Sequence, residues 1–224
     1  MKNKTIIIAE AGVNHNGSLS LAKKLIKAAS RAGADYVKFQ TYDVDSMIRK
    51  NTKLTIYQKK NLKKNLTQYE ILKKYKLRNN WYRSLILYSK KNNIKLISSP
   101  FDIKSIQFIK KFNFDYIKIP SGEINNLPYL EVLAKQNKKL ILSTGMSTLS
   151  EVKNAISVLR SKGLKKNNLY VLHCHSDYPS KPENLNLKAI GLLERKIGLN
   201  VGYSDHSAGI EAPIIAVAYG AKII

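Results

Sequence analysis

Charged and hydroxyl side chains recur where the short apolar segments of this sequence end. Glu10 follows the first apolar run, residues 6–8, and two later runs contain the lysines Lys38 and Lys118. A lysine within an apolar strand is costly to bury unless an anion accompanies it. With the neighbouring hydroxyl groups, these lysines could form a cradle for a phosphate or a carboxylate. Alternatively, Glu10 is a solvated strand end and both lysines extend to water at the rim.

The same strand ends carry further candidates for binding and chemistry. They are Gln40, Ser99, Ser121, Glu123, Ser143, Ser176, Tyr178 and Ser204. Three histidines, His173, His175 and His206, follow the sixth and seventh predicted strands, and neutral imidazole is a ligand for divalent transition metals. Their spacing matches no recognised zinc motif, so an ordinary hydrogen-bonding role stays open for each. The residue types therefore predict an anion-binding site, with metal dependence as an option.

Strands and helices must alternate to position these side chains. Apolar, β-branched runs predict strands at 6–8, 36–40, 95–98, 116–119, 140–143, 169–173 and 200–203, with an eighth beginning at Ala221. Capping boxes predict helices that begin at Thr67 and Thr148, and apolar spacing predicts others at 18–31 and 81–92. A long connection, residues 41–66, follows the second strand, and loops of that length are often functional.

This alternation predicts an α/β fold, a (β/α)₈ TIM barrel truncated at the start of its eighth strand. In such a barrel the carboxyl ends of the strands build the active site, which is where the candidate residues lie. A doubly wound open sheet is the competing fold, but no GxGxxG loop follows any strand to favour it.

Composition limits the class of protein. A chain of 224 residues with 44% hydrophobic residues can bury one substantial core. The single cysteine, Cys174, excludes an internal disulfide framework and favours a reducing compartment. Glu10 interrupts the first apolar run too early for a signal peptide, and no run is long enough to span a bilayer. We therefore expect a soluble, cytoplasmic protein that has no membrane partner.

The formal net charge of +24 raises the question of nucleic-acid binding. Only six of the 39 basic residues are arginine, the residue that base readers and phosphate clamps favour. The lysines are spread along the whole chain, most densely at Lys59–Lys64. We interpret the charge as a compositional bias that can attract anionic substrates, and we predict no nucleic-acid partner.

A set of short motifs carries a resemblance to a known family. In order along the chain, they are Ile8-Ala9-Glu10 with Asn14-His15-Asn16-Gly17, Val37-Lys38-Phe39-Gln40-Thr41, Ser98-Ser99-Pro100-Phe101, Tyr116-Ile117-Lys118-Ile119 with Ser121-Gly122-Glu123, Ser143-Thr144-Gly145-Met146, Leu172-His173-Cys174, Tyr178-Pro179 and Gly202-Tyr203-Ser204-Asp205-His206. The chain closely resembles the barrel domain of the sialic acid synthases, the N-acetylneuraminate synthase family that includes legionaminate and pseudaminate synthases. Each motif alone is weak, whereas the ordered set is specific and covers essentially the whole chain.

The resemblance implies a transferase that condenses phosphoenolpyruvate with an N-acylated hexosamine, such as N-acetylmannosamine or a relative. The products would be a nine-carbon 2-keto sugar acid and phosphate. Glu10 matches the acid/base residue that positions or activates a water molecule. His206 matches one of two histidine ligands of a divalent metal, Mn²⁺ or similar. The positions that match those holding phosphoenolpyruvate are Lys38, Lys118, Ser99, Ser121, Ser143, Ser176 and Ser204; those that line the sugar and the reaction centre are Gln40, Glu123 and Tyr178.

The chain also departs from the family pattern. His175 and Ser176 stand where many members carry threonine and asparagine, and a serine can still donate to a phosphate. The resemblance places the second metal-binding histidine beyond Ile224, together with the last barrel helix and a C-terminal antifreeze-like domain that closes the sugar site of a homodimeric partner. We therefore expect residues 1–224 to be an incomplete barrel domain, weakly active and poorly stable alone. The alternatives are another barrel lyase or aldolase acting on phosphorylated substrates, and an inactive barrel that only binds anionic ligands.

Overall fold

The computed structural model of the chain describes residues 4–54 and 66–224. The densest group of lysines, Lys59–Lys64, lies outside these residues, as does much of the long connection after the second strand. The chain divides into two compact units. The N-terminal unit is Ala9–Lys111, and the C-terminal unit is Phe112–Ile224 together with residues 4–8. Strands alternate with helices in both units, as the sequence predicts.

The N-terminal unit begins within its first strand, and a parallel pair of strands follows. Its elements are β1 (Ile8–Gly12), α1 (Leu19–Arg31), β2 (Tyr36–Thr41), α2 (Val44–Met47), α3 (Gln68–Tyr75), α4 (Tyr82–Lys91), β3 (Lys95–Pro100) and α5 (Ile103–Ile109). Strands β2 and β3 pair in parallel, which sets Gln40 opposite Ser99. Side-chain oxygens of Ser18, Thr67 and Asp102 accept from backbone N–H groups and so cap α1, α3 and α5.

The C-terminal unit contains four parallel strands that neighbour one another in chain order. Its elements are β4 (Tyr116–Ile119), α6 (Leu127–Ala134), β5 (Lys139–Ser143), α7 (Leu149–Ser161), β6 (Leu169–Cys174), α8 (Ala189–Ile197), β7 (Asn200–Ser204) and α9 (Glu211–Ala218). The predicted capping box of Thr148 and Glu151 opens α7. Helix α9 packs on the core through Ala212 and Ala216. No helix among the described residues has the length and apolar character needed to cross a membrane.

The first strand differs from its prediction. Residues 6–8 were expected to form a strand buried on both faces, but Ile7 is 38% exposed and β1 runs from Ile8 through Glu10 to Gly12. Glu10 does not end the strand, because its carboxylate finds a positively charged partner on β2. The strand ends instead at Gly12, whose φ of +50° lies in the left-handed region that turns the chain.

Residues 221–224 pair on both sides, as expected of an eighth strand that begins at Ala221. The N–H of Lys222 donates to the carbonyl of Val201 in β7 at 2.8 Å, and its own carbonyl accepts from Ile6 at 3.0 Å. The N–H of Ile224 donates to the carbonyl of Ile6 at 2.9 Å. This short segment therefore joins β7 to the first residues of the chain inside the C-terminal unit.

Gly202 makes that pairing possible. A Cβ atom at this position would lie 2.8 Å from Cδ2 of Leu172 and closer still to the carbonyl oxygen and Cγ2 of Ile223. We expect Gly202→Ala to lower the free energy of unfolding by about 1–3 kcal/mol, because the added methyl group overpacks a closed site. Chemical denaturation measures the change. Gly122→Ala is the matched control, since no heavy atom lies within 4 Å of its Cβ position; an equal loss in both variants would contradict the prediction.

Candidate active site

Lys38 and Glu10 form an ion pair between β2 and β1. The side chain of Lys38 is only 5% exposed, whereas that of Glu10 is 47% exposed. A buried ammonium group needs an anion nearby, because withdrawal from water penalises an isolated charge heavily. The alternative in which Lys38 merely extends to water at the rim is therefore wrong.

Gln40 and Ser99 lie near this pair at the carboxyl ends of β2 and β3. A Cβ atom on Gly12 would lie 3.2 Å from Oε1 of Glu10 and 3.8 Å from Nε2 of Gln40, so the carboxylate and the amide meet above Gly12. The strand register sets Gln40 opposite Ser99, which is buried. Four of the predicted site residues thus belong to the strand ends of the N-terminal unit.

A buried hydroxyl network supports these two strand ends, and the sequence analysis missed it. Oγ1 of Thr41 lies 2.5 Å from the hydroxyl of Tyr82 and 2.5 Å from Oγ of Ser98. The Tyr82 hydroxyl also lies 3.4 Å from the carbonyl of Gln40, and burial raises its pKa. The network therefore ties α4 to the residues adjacent to Gln40 and Ser99. Tyr82 resembles an ordinary apolar helix position in the sequence, so only the fold identifies its partners.

In the C-terminal unit, Lys118 and three serine hydroxyls lie on or just after strands β4, β6 and β7. Nζ of Lys118 donates to Oγ of Ser204 at 3.0 Å, which links β4 to β7. Oγ of Ser121 accepts from the N–H of Gly145 at 2.9 Å. A Cβ atom on Gly145 would meet both Ser121 Oγ and Ser176 Oγ, so the glycine lets these two hydroxyls approach the loop after β5. We call Lys118, Ser121, Gly145, Ser176 and Ser204 the hydroxyl cluster.

Two other buried side chains accompany the hydroxyl cluster. Oγ of Ser143, at the end of β5, is buried and has no hydrogen-bond partner within the described parts of the chain. Cys174 is buried as well, and burial raises the pKa of its thiol, against the opposing effects of the Lys118 charge and of hydrogen bonds with Ser121 and Ser204. A free hydroxyl at a strand end is an available donor for a bound anion.

The last predicted residues lie in the loops that follow β4, β6 and β7. Glu123, in the turn Ser121–Glu123, accepts from Nδ2 of Asn126 at 2.7 Å. The hydroxyl of the exposed Tyr178 lies 3.1 Å from Nε2 of His206, and the two ring centroids are 4.1 Å apart. Tyr178 and His206 therefore meet, while Glu123 is held by Asn126, the residue that caps α6.

The orientation of His206 bears on the predicted metal. Its Nδ1 lies 2.6 Å from the carbonyl oxygen of His175. Because a carbonyl oxygen can only accept, Nδ1 carries the proton, and in the neutral ring Nε2 has the lone pair. A metal-bound histidine is commonly held in this way by a backbone carbonyl. Among residues 4–54 and 66–224, however, no three or more His, Cys, Asp or Glu side chains are grouped to hold a metal ion. His206 therefore fits one ligand position, and the described residues do not supply a full set.

The other two histidines have ordinary partners. Nε2 of His173 lies 2.7 Å from the carbonyl of Leu185, and its ring stacks on Tyr203. Nε2 of His175 lies 3.0 Å from a carboxylate oxygen of Asp177. The hydrogen-bonding role that the sequence left open is the one that both residues adopt.

Parallel strands followed by helices define an α/β protein, and its strands and strand ends carry lysines and hydroxyls. Residues 25–224 match the NeuB family. The chain belongs to this family, which confirms the resemblance to the sialic acid synthases.

Individual relatives agree with this assignment. The chain is 47% identical over 221 residues to the N,N'-diacetyllegionaminic acid synthase of Campylobacter jejuni, covering 99% of this chain and 66% of the relative. It is 44% identical over 220 residues to the protein of the same name from Legionella pneumophila, covering 97% of this chain and 62% of the relative. The chain thus spans slightly less than two thirds of the length of these relatives.

A solved structure shows the same fold. The N-acetylneuraminic acid synthetase of Leptospira borgpetersenii superposes with a TM-score of 0.85 at 35% identity, covering 99% of this chain and 72% of that chain. The α/β fold with its seven parallel strands is thereby confirmed.

The buried hydroxyl network provides a test of how the strand ends of the N-terminal unit are supported. We expect Tyr82→Phe to lower the free energy of unfolding by about 1 kcal/mol, because one buried hydrogen bond is lost. The hydrogen bond between Thr41 and Ser98 remains. Urea denaturation measures the change. Tyr88→Phe is the control, a half-buried tyrosine on the same helix, and should change stability by less than about 0.5 kcal/mol. Equal stabilities of Tyr82→Phe and the parent would contradict the role of the network.

Proposed function

We propose that this chain is part of a synthase that condenses phosphoenolpyruvate with an N-acylated hexosamine to give a nine-carbon 2-keto sugar acid and phosphate. The observation that carries the proposal is the hydroxyl cluster, in which Lys118 donates to Ser204 and the hydroxyls of Ser121 and Ser176 lie beside Gly145. Such a set of donors suits a phosphate or a carboxylate. The names of the two legionaminic acid synthases support the reaction class, and the Leptospira synthetase was solved in complex with an anion, citrate.

The fold that we propose for the whole protein is a (β/α)₈ barrel in which residues 221–224 supply the start of the eighth strand. Its support is the pairing of those residues with β7 and with Ile6, and the similarity to the Leptospira synthetase. The homodimer and the cytoplasmic location stay predictions.

Binding of phosphoenolpyruvate is the first step. Lys118 and the serine hydroxyls of the cluster would donate to its phosphate or carboxylate oxygens, and the unpartnered hydroxyl of Ser143 is free to join them. Lys38 and Ser99 are proposed to contribute in the same way. Gly145 leaves room for two hydroxyls, so the donors are in place before the anion arrives.

The chemical step joins two carbon atoms. Carbon three of phosphoenolpyruvate attacks the aldehyde carbon of the open-chain sugar, and the aldehyde oxygen takes a proton to become a hydroxyl. Positive charge develops at carbon two, where a carboxylate such as Glu10 can stabilise it. Glu10 accepts one proton from the water molecule that adds to carbon two, which balances the proton taken up by the aldehyde oxygen. The second proton of that water passes to the phosphate group as the bond between carbon two and the phosphate oxygen breaks. One water is consumed, and a ketone and inorganic phosphate are formed.

The remaining predicted residues would act on the sugar. Gln40, Glu123 and Tyr178 present an amide, a carboxylate and a hydroxyl that suit sugar hydroxyl and N-acyl groups. A divalent metal, Mn²⁺ or similar, would polarise the aldehyde when bound. Nε2 of His206 would be one of its ligands, and the contact of Nδ1 with the carbonyl of His175 leaves the lone pair of the neutral ring on Nε2.

Anion binding by the hydroxyl cluster is tested with Lys118→Ala. We expect phosphoenolpyruvate with Mn²⁺ to raise the melting midpoint of the parent chain, since a ligand of the folded state stabilises it by mass action. The shift should disappear in Lys118→Ala, because the charged donor is lost. Lys139→Ala is the control, since Lys139 is exposed and begins β5 at the opposite end from Ser143.

The reaction itself is tested by phosphate release, which should require both phosphoenolpyruvate and an N-acylated hexosamine. Mass spectrometry should detect the nine-carbon acid. A melting shift of equal size in Lys118→Ala and the parent would contradict the role of the cluster. Phosphate release that does not depend on the amino sugar would favour a different lyase or phosphatase chemistry.

A further inference from the structure

Lys38 and Glu10 differ in how firmly they are held. Lys38 is buried in the middle of β2, and its side chain is almost wholly withdrawn from water. Nearly half of the Glu10 side chain is exposed in the middle of β1. The ammonium group is enclosed by protein, whereas the carboxylate has solvent beside it. In this pair, the carboxylate is therefore the member that has room to move.

The space around the carboxylate is kept open by Gly12. Its Oε1 lies 3.2 Å from the point that a Gly12 Cβ would occupy, and Nε2 of Gln40 lies 3.8 Å from the same point. One carboxylate oxygen contacts Lys38, while the other faces the region shared by Gly12 and Gln40. An oxyanion of similar size could occupy this position and meet the same lysine.

We propose that Glu10 is an internal counter-ion that neutralises Lys38 in the free protein and is displaced when an anionic group of the substrate binds to Lys38. The inference rests on the proposed function and deepens it, because it makes one residue both a competitor for the substrate anion and the base of the later step. The exchange forms one ion pair as it breaks another, so Lys38 never lacks a counter-ion.

A consequence for the order of events follows from this exchange. While Glu10 is paired with Lys38, a carboxylate oxygen contacts the ammonium group instead of a water molecule. Binding of the anion releases it, so the base becomes available only when the anionic substrate is present. The anionic substrate must therefore bind before Glu10 can act as a base.

The test compares Glu10→Gln with the parent chain by calorimetric titration with phosphoenolpyruvate and, separately, with inorganic phosphate. Removal of the internal competitor should strengthen anion binding, by about tenfold for a contribution of about 1.4 kcal/mol. In a Lys38→Met background the same substitution should have no effect on anion affinity, since the competition acts through the lysine. Glu131→Gln is the matched control; it breaks an exposed ion pair with Lys162, 3.2 Å apart, and should leave the affinity unchanged.

Thermal melting separates displacement from simple repulsion between Glu10 and the anion. Without an anion, the melting midpoint of Glu10→Gln should be lower than that of the parent, because the buried ammonium group has lost its counter-ion. An added anion should raise the midpoint of Glu10→Gln by more than it raises that of the parent. Repulsion alone would strengthen anion binding and leave the anion-free midpoint unchanged, which would overturn the proposal.

The two anions keep this inference distinguishable from the proposed function. If Glu10→Gln strengthens the binding of inorganic phosphate but phosphoenolpyruvate does not bind, the displacement holds and the assigned substrate is wrong. If phosphoenolpyruvate binds the parent and Glu10→Gln equally, the substrate assignment survives and the displacement is overturned. Absence of any anion binding in either protein also overturns it.

Discussion

The burial of the Lys38 ammonium group constrains the whole N-terminal unit. An ammonium group inside a parallel strand must have an anion beside it, and β1 supplies Glu10 for that purpose. This requirement explains why β1 continues past its apolar residues and why a glycine with positive φ follows at position 12. It also explains why the strand ends need the firm support of the hydroxyl network below them, since a small shift of β2 would separate the pair.

The two strand lysines are accommodated in different ways. Lys38 has a carboxylate partner and is deeply buried, whereas Lys118 is half-buried and donates to the hydroxyl of Ser204. Lys118 therefore has a hydroxyl among its partners, and Lys38 has a carboxylate. The surroundings of the two lysines differ although both residues lie within parallel strands.

Local features of this chain were predictable, and long-range ones were not. Strand β4 was predicted at its observed bounds because a short apolar run between polar residues leaves few alternatives, and the capping boxes of Thr67 and Thr148 involve residues only three positions apart. The true extent of β1 depends on partners distant in the sequence, and so does the Thr41–Tyr82–Ser98 network. The location of the candidate residues at strand ends was also predictable from the alternation of elements. The roles of those residues depend on ligands, so they stay predictions.

The pairing of residues 6–8 with residues 222–224 has a consequence for synthesis on the ribosome. The hydroxyl of Thr5 donates to the carbonyl of Ala221, a contact that spans 216 positions of the chain. Residues 5–8 therefore find these hydrogen-bonding partners only after residues 221–224 have been made. The contacts within the N-terminal unit, Ala9–Lys111, join residues that are made earlier and can form first. Until residues 221–224 are made, the backbone groups of Ile6 and Ile8 that pair with them have no such partners.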